Sequence, residues 1–312
     1  MRTAFMKTLF EAAAQDRRVC LIVGDLGYSV IDEFAKAYPD QFVNAGVAEQ
    51  DMTGIAAGMA LSGKIVFTYS IANFATLRCL EQIRNDVCYH HANVKVVAVG
   101  GGLAYGSLGV SHHATEDLAI LRALPGMTVV APGDPIEAEL ATRAVIAHDG
   151  PVYLRLGKAG EPVVHTKRPE FRLGKAISIR TGRDLTLIST GGMLATAVAV
   201  ADALEARGRT VGLLSMHTVS PLDEEAVRAA ATRTGAMVTI EEHSIVGGLG
   251  GAVAEVLAEM PEHAPLTRIG LAPRFNSAVG DQQYLKKRQG LDLDGVLKQL
   301  TPILEESHGL VS

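Results

Sequence analysis

The chain has no tryptophan, and only 5% of its 312 residues are aromatic, so its cores must be built from Val, Leu, Ile, Ala and Met. Its three cysteines, Cys20, Cys79 and Cys88, form no CxxC pair. That excludes a disulfide framework and favours a reducing, cytoplasmic setting. No apolar run approaches the roughly 20 residues needed to cross a bilayer, and residues 1–7 read as an amphipathic helix instead of a leader peptide. A formal net charge of -5 without a sustained basic stripe argues against nucleic acid as a partner. The densest basic cluster, Lys286-Lys287-Arg288, reads as a solvated face. Gly100-Gly101-Gly102 is followed by no G-K-(S/T), and no G-x-G-x-x-G opens a helix, so phosphate-loop and dinucleotide readings fail.

What is present is a regular alternation. Apolar runs of strand length (19–23, 64–69, 94–99, 127–132, 152–158) are separated by segments of helical period (3–15, the stretch through Leu61, the stretch with Leu77, Leu80 and Ile83, and 135–148). Pro135 after Asp134 marks a helix start. A segment rich in proline, glycine and charge then separates a second set: strands at 184–190, 211–217, 237–241 and 267–271, with helices at 194–207, 223–233 and 248–260. Strands alternating with helices imply parallel sheets joined by right-handed crossovers. The prediction is an α/β protein of two doubly wound, mostly parallel-sheet domains, 1–160 and 176–312, joined by a linker over 161–175.

Four stretches carry candidate chemistry. The first is Gly46-Val47-Ala48-Glu49-Gln50, a glycine turn between a short strand and a helix whose Met52, Ile55, Ala56 and Met59 form one buried face. Ligands of open α/β sheets bind beyond the carboxyl ends of strands, and a carboxyl group set there among apolar neighbours should hold or share a proton. From spacing alone the plainer reading is a first-turn glutamate favoured by the helix dipole. The second is Gly24-Asp25-Leu26-Gly27, at the end of a strand, where Asp25 is a turn former or a ligand contact. In the third, Ser111-His112-His113 through Ala119, two histidines in a glycine-rich loop at a strand end suggest function. A metal pair is rejected because adjacent residues on an extended segment point opposite ways and no third ligand sits at ligand spacing. The fourth, Glu241-Glu242, reads as solvated or interface charge.

Gly46-Val47-Ala48-Glu49-Gln50 followed by Gly54-Ile55-Ala56-Ala57-Gly58, together with Ser111-His112-His113-Ala114-Thr115-Glu116-Asp117-Leu118-Ala119, resembles the transketolase family of thiamine diphosphate enzymes, and the resemblance runs from Arg2 to about Gly280. It implies a pyrimidine-binding domain followed by a transketolase C-terminal-like domain. Glu49 would bond the pyrimidine ring nitrogen of thiamine diphosphate and control its tautomer, and His112 would face the reacting carbons. Asp25 and Leu26 would lie near the cofactor, and Phe67, Tyr69, Ile71 and Phe74 would wall its pyrimidine. Ile71 replaces a phenylalanine of the family pattern and cannot stack. Arg2 and Lys158 would contact substrate phosphate, although Arg2 reads equally as a terminal charge. Leu108 stands where many transketolases carry an aspartate that reads the acceptor, so ordinary sugar phosphates should not be bound by the usual contacts. The family's G-D-G diphosphate motif is missing. The resemblance therefore implies a split enzyme in which an N-terminal, diphosphate-binding subunit holds the diphosphate and a divalent metal (Mg), in an α2β2 assembly acting on a sugar phosphate. Two other readings remain: the β subunit of a 2-oxo acid dehydrogenase E1, and a non-catalytic regulatory subunit of the same fold.

Overall fold

The computed structural model describes residues 1–27 and 29–306. Its strands are β1 (Val19–Val23), β2 (Phe42–Asn44), β3 (Ile65–Ile71), β4 (Val94–Val99), β5 (Thr128–Val130), β6 (Val152–Leu156), β7 (Ile177–Arg180), β8 (Leu185–Ser189), β9 (Val211–Ser215), β10 (Thr218–Ser220), β11 (Met237–Ser244) and β12 (Leu266–Leu271). They form two sheets, ordered β10-β5-β6-β4-β3-β1-β2 and β12-β11-β8-β9-β7. β1 to β6 pair in parallel, as do β8, β9, β11 and β12. β1, β4 and β6 are buried along their whole length, which is why they read as unbroken apolar runs. The two predicted α/β units are present, and each sheet has helices on both faces.

In the first sheet the two faces are distinct. Phe67 and Tyr69 of β3 share a core with Phe5 and Leu9 of the helix Arg2–Gln15 and with Ala138 and Val145 of the helix Pro135–Ala147. Val66 of β3 packs on the other face against Met52, Ala56 and Ala60 of the helix Glu49–Leu61. Side chains alternate along a strand, so Thr68 and Ser70 share the face of Val66.

Several elements depart from expectation. β7 and β10 are edge strands that run antiparallel, β10 on β5. β10 lies beyond the linker yet completes the first sheet, a non-local pairing that local periodicity cannot reveal. The helices Gln282–Arg288 and Leu293–Glu306 close the second domain, and residues 307–312 of its expected span lie outside the described residues. Of the basic cluster, Lys287 and Arg288 are exposed, but Lys286 is buried with Nζ 3.4 Å from the Thr196 hydroxyl. The segment after β3 is not one regular helix. It winds as a short helix Ala72–Thr76, a tight 3-10 turn Leu77–Cys79, one more turn and a wide π turn Ile83–Cys88. Thr76 bonds back to the Ala72 carbonyl at 2.6 Å, a contact that bends helices.

The linker is packed down. The backbone N–H groups of Val164 and His165 donate to Asp134 Oδ2, the His165 ring meets Glu137 at 2.7 Å, and Phe171 stacks on His217 at 3.9 Å. Between the domains, Arg155 of β6 pairs with Asp117 at 2.7 Å and donates to the Glu242 carbonyl, and Tyr153 donates to the same aspartate. The Glu242 carboxylate accepts from the Leu103 N–H at 2.7 Å and from Gln282, and Glu241 caps the next helix through the N–H groups of Leu249 and Gly250. Both glutamates are buried, so the solvated alternative for this pair is set aside and the interface one holds.

This buried polarity should be visible in stability measurements. Asp117→Asn leaves Arg155 charged and unpaired, and should lower unfolding stability by about 3 kcal/mol in chemical denaturation. Lys95, in the middle of β4, is fully buried with Nζ donating to the carbonyls of His148 and Gly150, and burial pulls its pKa down to about 7. Between pH 7 and the free-lysine range the unfolded chain binds the proton that the folded chain has lost, so folding gains stability as pH rises through that window. The thermal midpoint of the wild type should therefore rise relative to Lys95→Met between about pH 7 and 10.

Candidate active site

The carboxyl ends of β1, β3, β4 and β6 form one rim, and most of the predicted residues gather on it, Phe67 and Tyr69 excepted. Glu49 opens its helix directly after the turn that follows β2 and is fully buried. Its Oε1 accepts from the Ser70 hydroxyl at 2.9 Å, and its Oε2 accepts from Arg78 Nη1 at 2.6 Å. A Cβ on Gly24, at the end of β1, would stand 3.3 Å from Glu49 Oε1 and 3.4 Å from the Ser70 hydroxyl, so any other residue there would crowd the seated carboxylate. The surroundings are thus more polar than the sequence suggested, with a partner on each oxygen.

Arg78 leads to the second half of the rim. Its guanidinium lies 4.2 Å above the Phe74 ring, and Phe74 meets His112 edge-on at 5.0 Å. Asn73 Nδ2 donates to the Ser111 carbonyl at 2.6 Å and ties this segment to the histidine loop. The Ser111 hydroxyl lies 3.0 Å from His112 Nδ1. His112 is half-buried and faces the rim, whereas His113 turns inward, where burial holds its pKa below the usual imidazole range. A cavity of about 270 Å³ adjoins this segment, lined by Asn73, Leu77, Val110, Ser111, His113 and Phe275. Its walls come from the chain neighbours of Phe74 and His112, and it does not reach Glu49.

Tyr105, which sequence reasoning passed over, joins the remaining residues. Its ring lies 6.2 Å from His112 and 4.7 Å below Lys158 Nζ. Arg2 exerts its charge on the hydroxyls of Tyr105 and Tyr69, opposing the upward push of burial on both, and its own Nε is buried with no hydrogen-bond partner. Two cations remote in sequence thus act on one tyrosine, Lys158 over its ring and Arg2 through its charge. Gly100, with φ +81°, admits that ring, because a Cβ there would collide with it. The available signal was an aromatic inside a glycine-rich loop at a strand end.

The expected pyrimidine wall needs correction. Phe67 and Tyr69 are 0% and 1% exposed and pack on Phe5, with ring centroids 6.0 and 6.1 Å away, on the sheet face opposite Ser70. The strand's alternation assigns them to the core, and Ile71, half-buried at the end of β3, continues that same face. Phe74, half-buried at the rim, is the apolar ring linked to Glu49 through Arg78. Asp25 is exposed in a left-handed conformation (φ 53°) and accepts from Asn44 Nδ2 at 2.9 Å, joining the ends of β1 and β2. Leu26 packs on the core beneath that turn, and Leu108 is exposed beside the histidine loop.

Comparison with known proteins places the chain in a family. Residues 1–160 match the family model for the transketolase pyrimidine binding domain, and residues 174–296 match that for the transketolase C-terminal domain. A subunit of the apulose-4-phosphate transketolase of Phocaeicola vulgatus is 41% identical over 95% of this chain and 95% of its own. The 6-deoxy-6-sulfo-D-fructose transketolase subunit SqwH of a Clostridium species is 38% identical over 99% of this chain and 95% of its own. A solved structure described as a split gene transketolase, inactive beta4 tetramer, superposes with a TM-score of 0.85 at 38% identity, covering 96% of this chain and 97% of that one. The chain belongs to the transketolase family, whose members depend on thiamine diphosphate. Within it, the chain corresponds to the second subunit of a split transketolase, a transferase.

Proposed function

We propose that this chain pairs with a separate N-terminal, diphosphate-binding subunit, and that the pair moves a two-carbon ketol unit from a ketose phosphate to an aldose acceptor. The observation that carries the reading is the buried Glu49 carboxylate at the sheet rim, with His112 reached from it through Arg78 and Phe74. The residues fit the cofactor's pyrimidine: a carboxylate for the ring nitrogen, with the Phe74 ring near it across Arg78, and Ile71 at the end of β3 would supply a further apolar group. When bound, thiamine diphosphate supplies the carbanion chemistry. Glu49 would hold the ring nitrogen through a charge-assisted bond, with Ser70 fixing its orientation. Where Ser111 donates to Nδ1, His112 carries its proton on Nε2 and can donate it toward a substrate oxygen. Asp25 and Leu26 would border the cofactor from the end of β1.

Arg2 and Lys158, gathered around Tyr105, are suited to a terminal anion on the substrate. The relatives' names point the same way, since apulose 4-phosphate carries a phosphate and 6-deoxy-6-sulfofructose a sulfonate. Leu108, in place of an acidic group, leaves the acceptor side without the usual polar contact. The diphosphate and its divalent metal, Mg, would be held by the partner subunit in an α2β2 enzyme of the cytoplasm. No described helix is long and apolar enough to cross a membrane.

In the reconstituted pair, Glu49→Gln should lower ketol transfer at least roughly 100-fold with the fold intact by circular dichroism. Unchanged turnover would remove Glu49 from catalysis and favour the regulatory reading. Lys158→Ala should raise KM for the anionic ketose about tenfold with little change in kcat, the mark of a contact made equally in ground and transition states. A fall in kcat alone would contradict that assignment.

A further inference from the structure

The Glu49 carboxylate is sealed. Its side chain has no exposed surface, while that of Arg78, bonded to Oε2, is 40% exposed. Of the two groups bonded to the carboxylate, Ser70 is fully buried, and on the Oε1 side the space is so tight that a Cβ on Gly24 would stand 3.3 Å from that oxygen. Approach from solvent to Oε2 therefore runs through the position of the guanidinium. The 3-10 turn Leu77–Cys79 carries Arg78 at this point, and Phe74 supports the guanidinium face at 4.2 Å.

We propose that Arg78 is a gate on the cofactor's glutamate: it covers Oε2 in the cofactor-free chain, and an incoming aminopyrimidine must displace it to reach that oxygen. The inference rests on the reading of Glu49 as the cofactor's partner. A buried carboxylate with one hydroxyl for company is costly, so an empty site needs a counter-ion. A half-exposed arginine supplies one that can retreat into water along a face it already presents to solvent. The same pair that keeps the empty subunit stable then competes with the cofactor. Binding exchanges one charge-assisted bond to Oε2 for another, and the guanidinium, released from Glu49, keeps its aromatic support.

Stability and affinity then move in opposite directions, which a purely structural ion pair does not produce. The test measures the thermal midpoint of the free chain, and the affinity of the chain reconstituted with its diphosphate-binding partner for thiamine diphosphate and Mg²⁺ by calorimetry. Arg78→Met should lower the midpoint of the free chain, yet tighten cofactor binding about fivefold or more. Arg78→Gln, which keeps a neutral donor, should fall between, and stands in if the methionine variant does not fold. In a Glu49→Gln background the gain from Arg78→Met should vanish. Unchanged or weakened cofactor binding in Arg78→Met, with Glu49→Gln still weakening it, overturns the gate and leaves the reading of Glu49 standing. Cofactor affinity untouched by Glu49→Gln overturns that reading and the gate with it.

Discussion

The structure depends on a carboxylate kept out of water and kept paired. Glu49 is held by a buried hydroxyl on one oxygen and a half-exposed guanidinium on the other, at the point where the ends of β1 and β3 meet. Burial makes such a group expensive when unpaired and strong when bonded. The fold is arranged to allow it: a glycine where a Cβ would crowd the carboxylate, and a serine on the correct face of β3. The irregular winding after β3 then returns an arginine to the rim. From that arginine the rim continues through Phe74 and His112 to Tyr105, where Lys158 and Arg2 converge.

A second buried polar network has a different task. Asp117, Arg155, Tyr153, Glu242 and Gln282 lock the C-terminal domain onto the first sheet, and β10 does the same by adding a strand across the boundary. The histidine loop lies between this lock and the rim, since Gly102, just ahead of it, pairs with Ala114, just after it, through two backbone hydrogen bonds. The acidic end of the histidine motif is therefore scaffolding: Asp117 fixes the frame from which His112 faces the rim.

Much of this was legible in the sequence. Strands buried on both faces appear as unbroken apolar runs, and helix starts are marked where a capping side chain is used, as Asp134 is by the Glu137 N–H. Glu49 and His112 were found through short motifs, and Arg2 and Lys158 through the same resemblance. What escaped depended on contacts between distant parts of the chain. β10 is three residues long and makes sense only beside β5. Phe67 and Tyr69 look like an aromatic wall until the alternation of β3 is tied to the helix that covers one face. Arg78 reads as one charge on an ordinary helix, because nothing local announces that the helix breaks and returns it to Glu49. Tyr105 is an isolated aromatic until Arg2 and Lys158 arrive from the two ends of the first domain.

The most direct measurement is a structure of the chain assembled with its diphosphate-binding partner and loaded with thiamine diphosphate. The account predicts a Glu49 carboxylate oxygen within about 2.9 Å of the pyrimidine ring nitrogen, a charge-assisted bond. A pyrimidine seated elsewhere, with the Glu49–Arg78 pair intact and Glu49 still sealed, would contradict it.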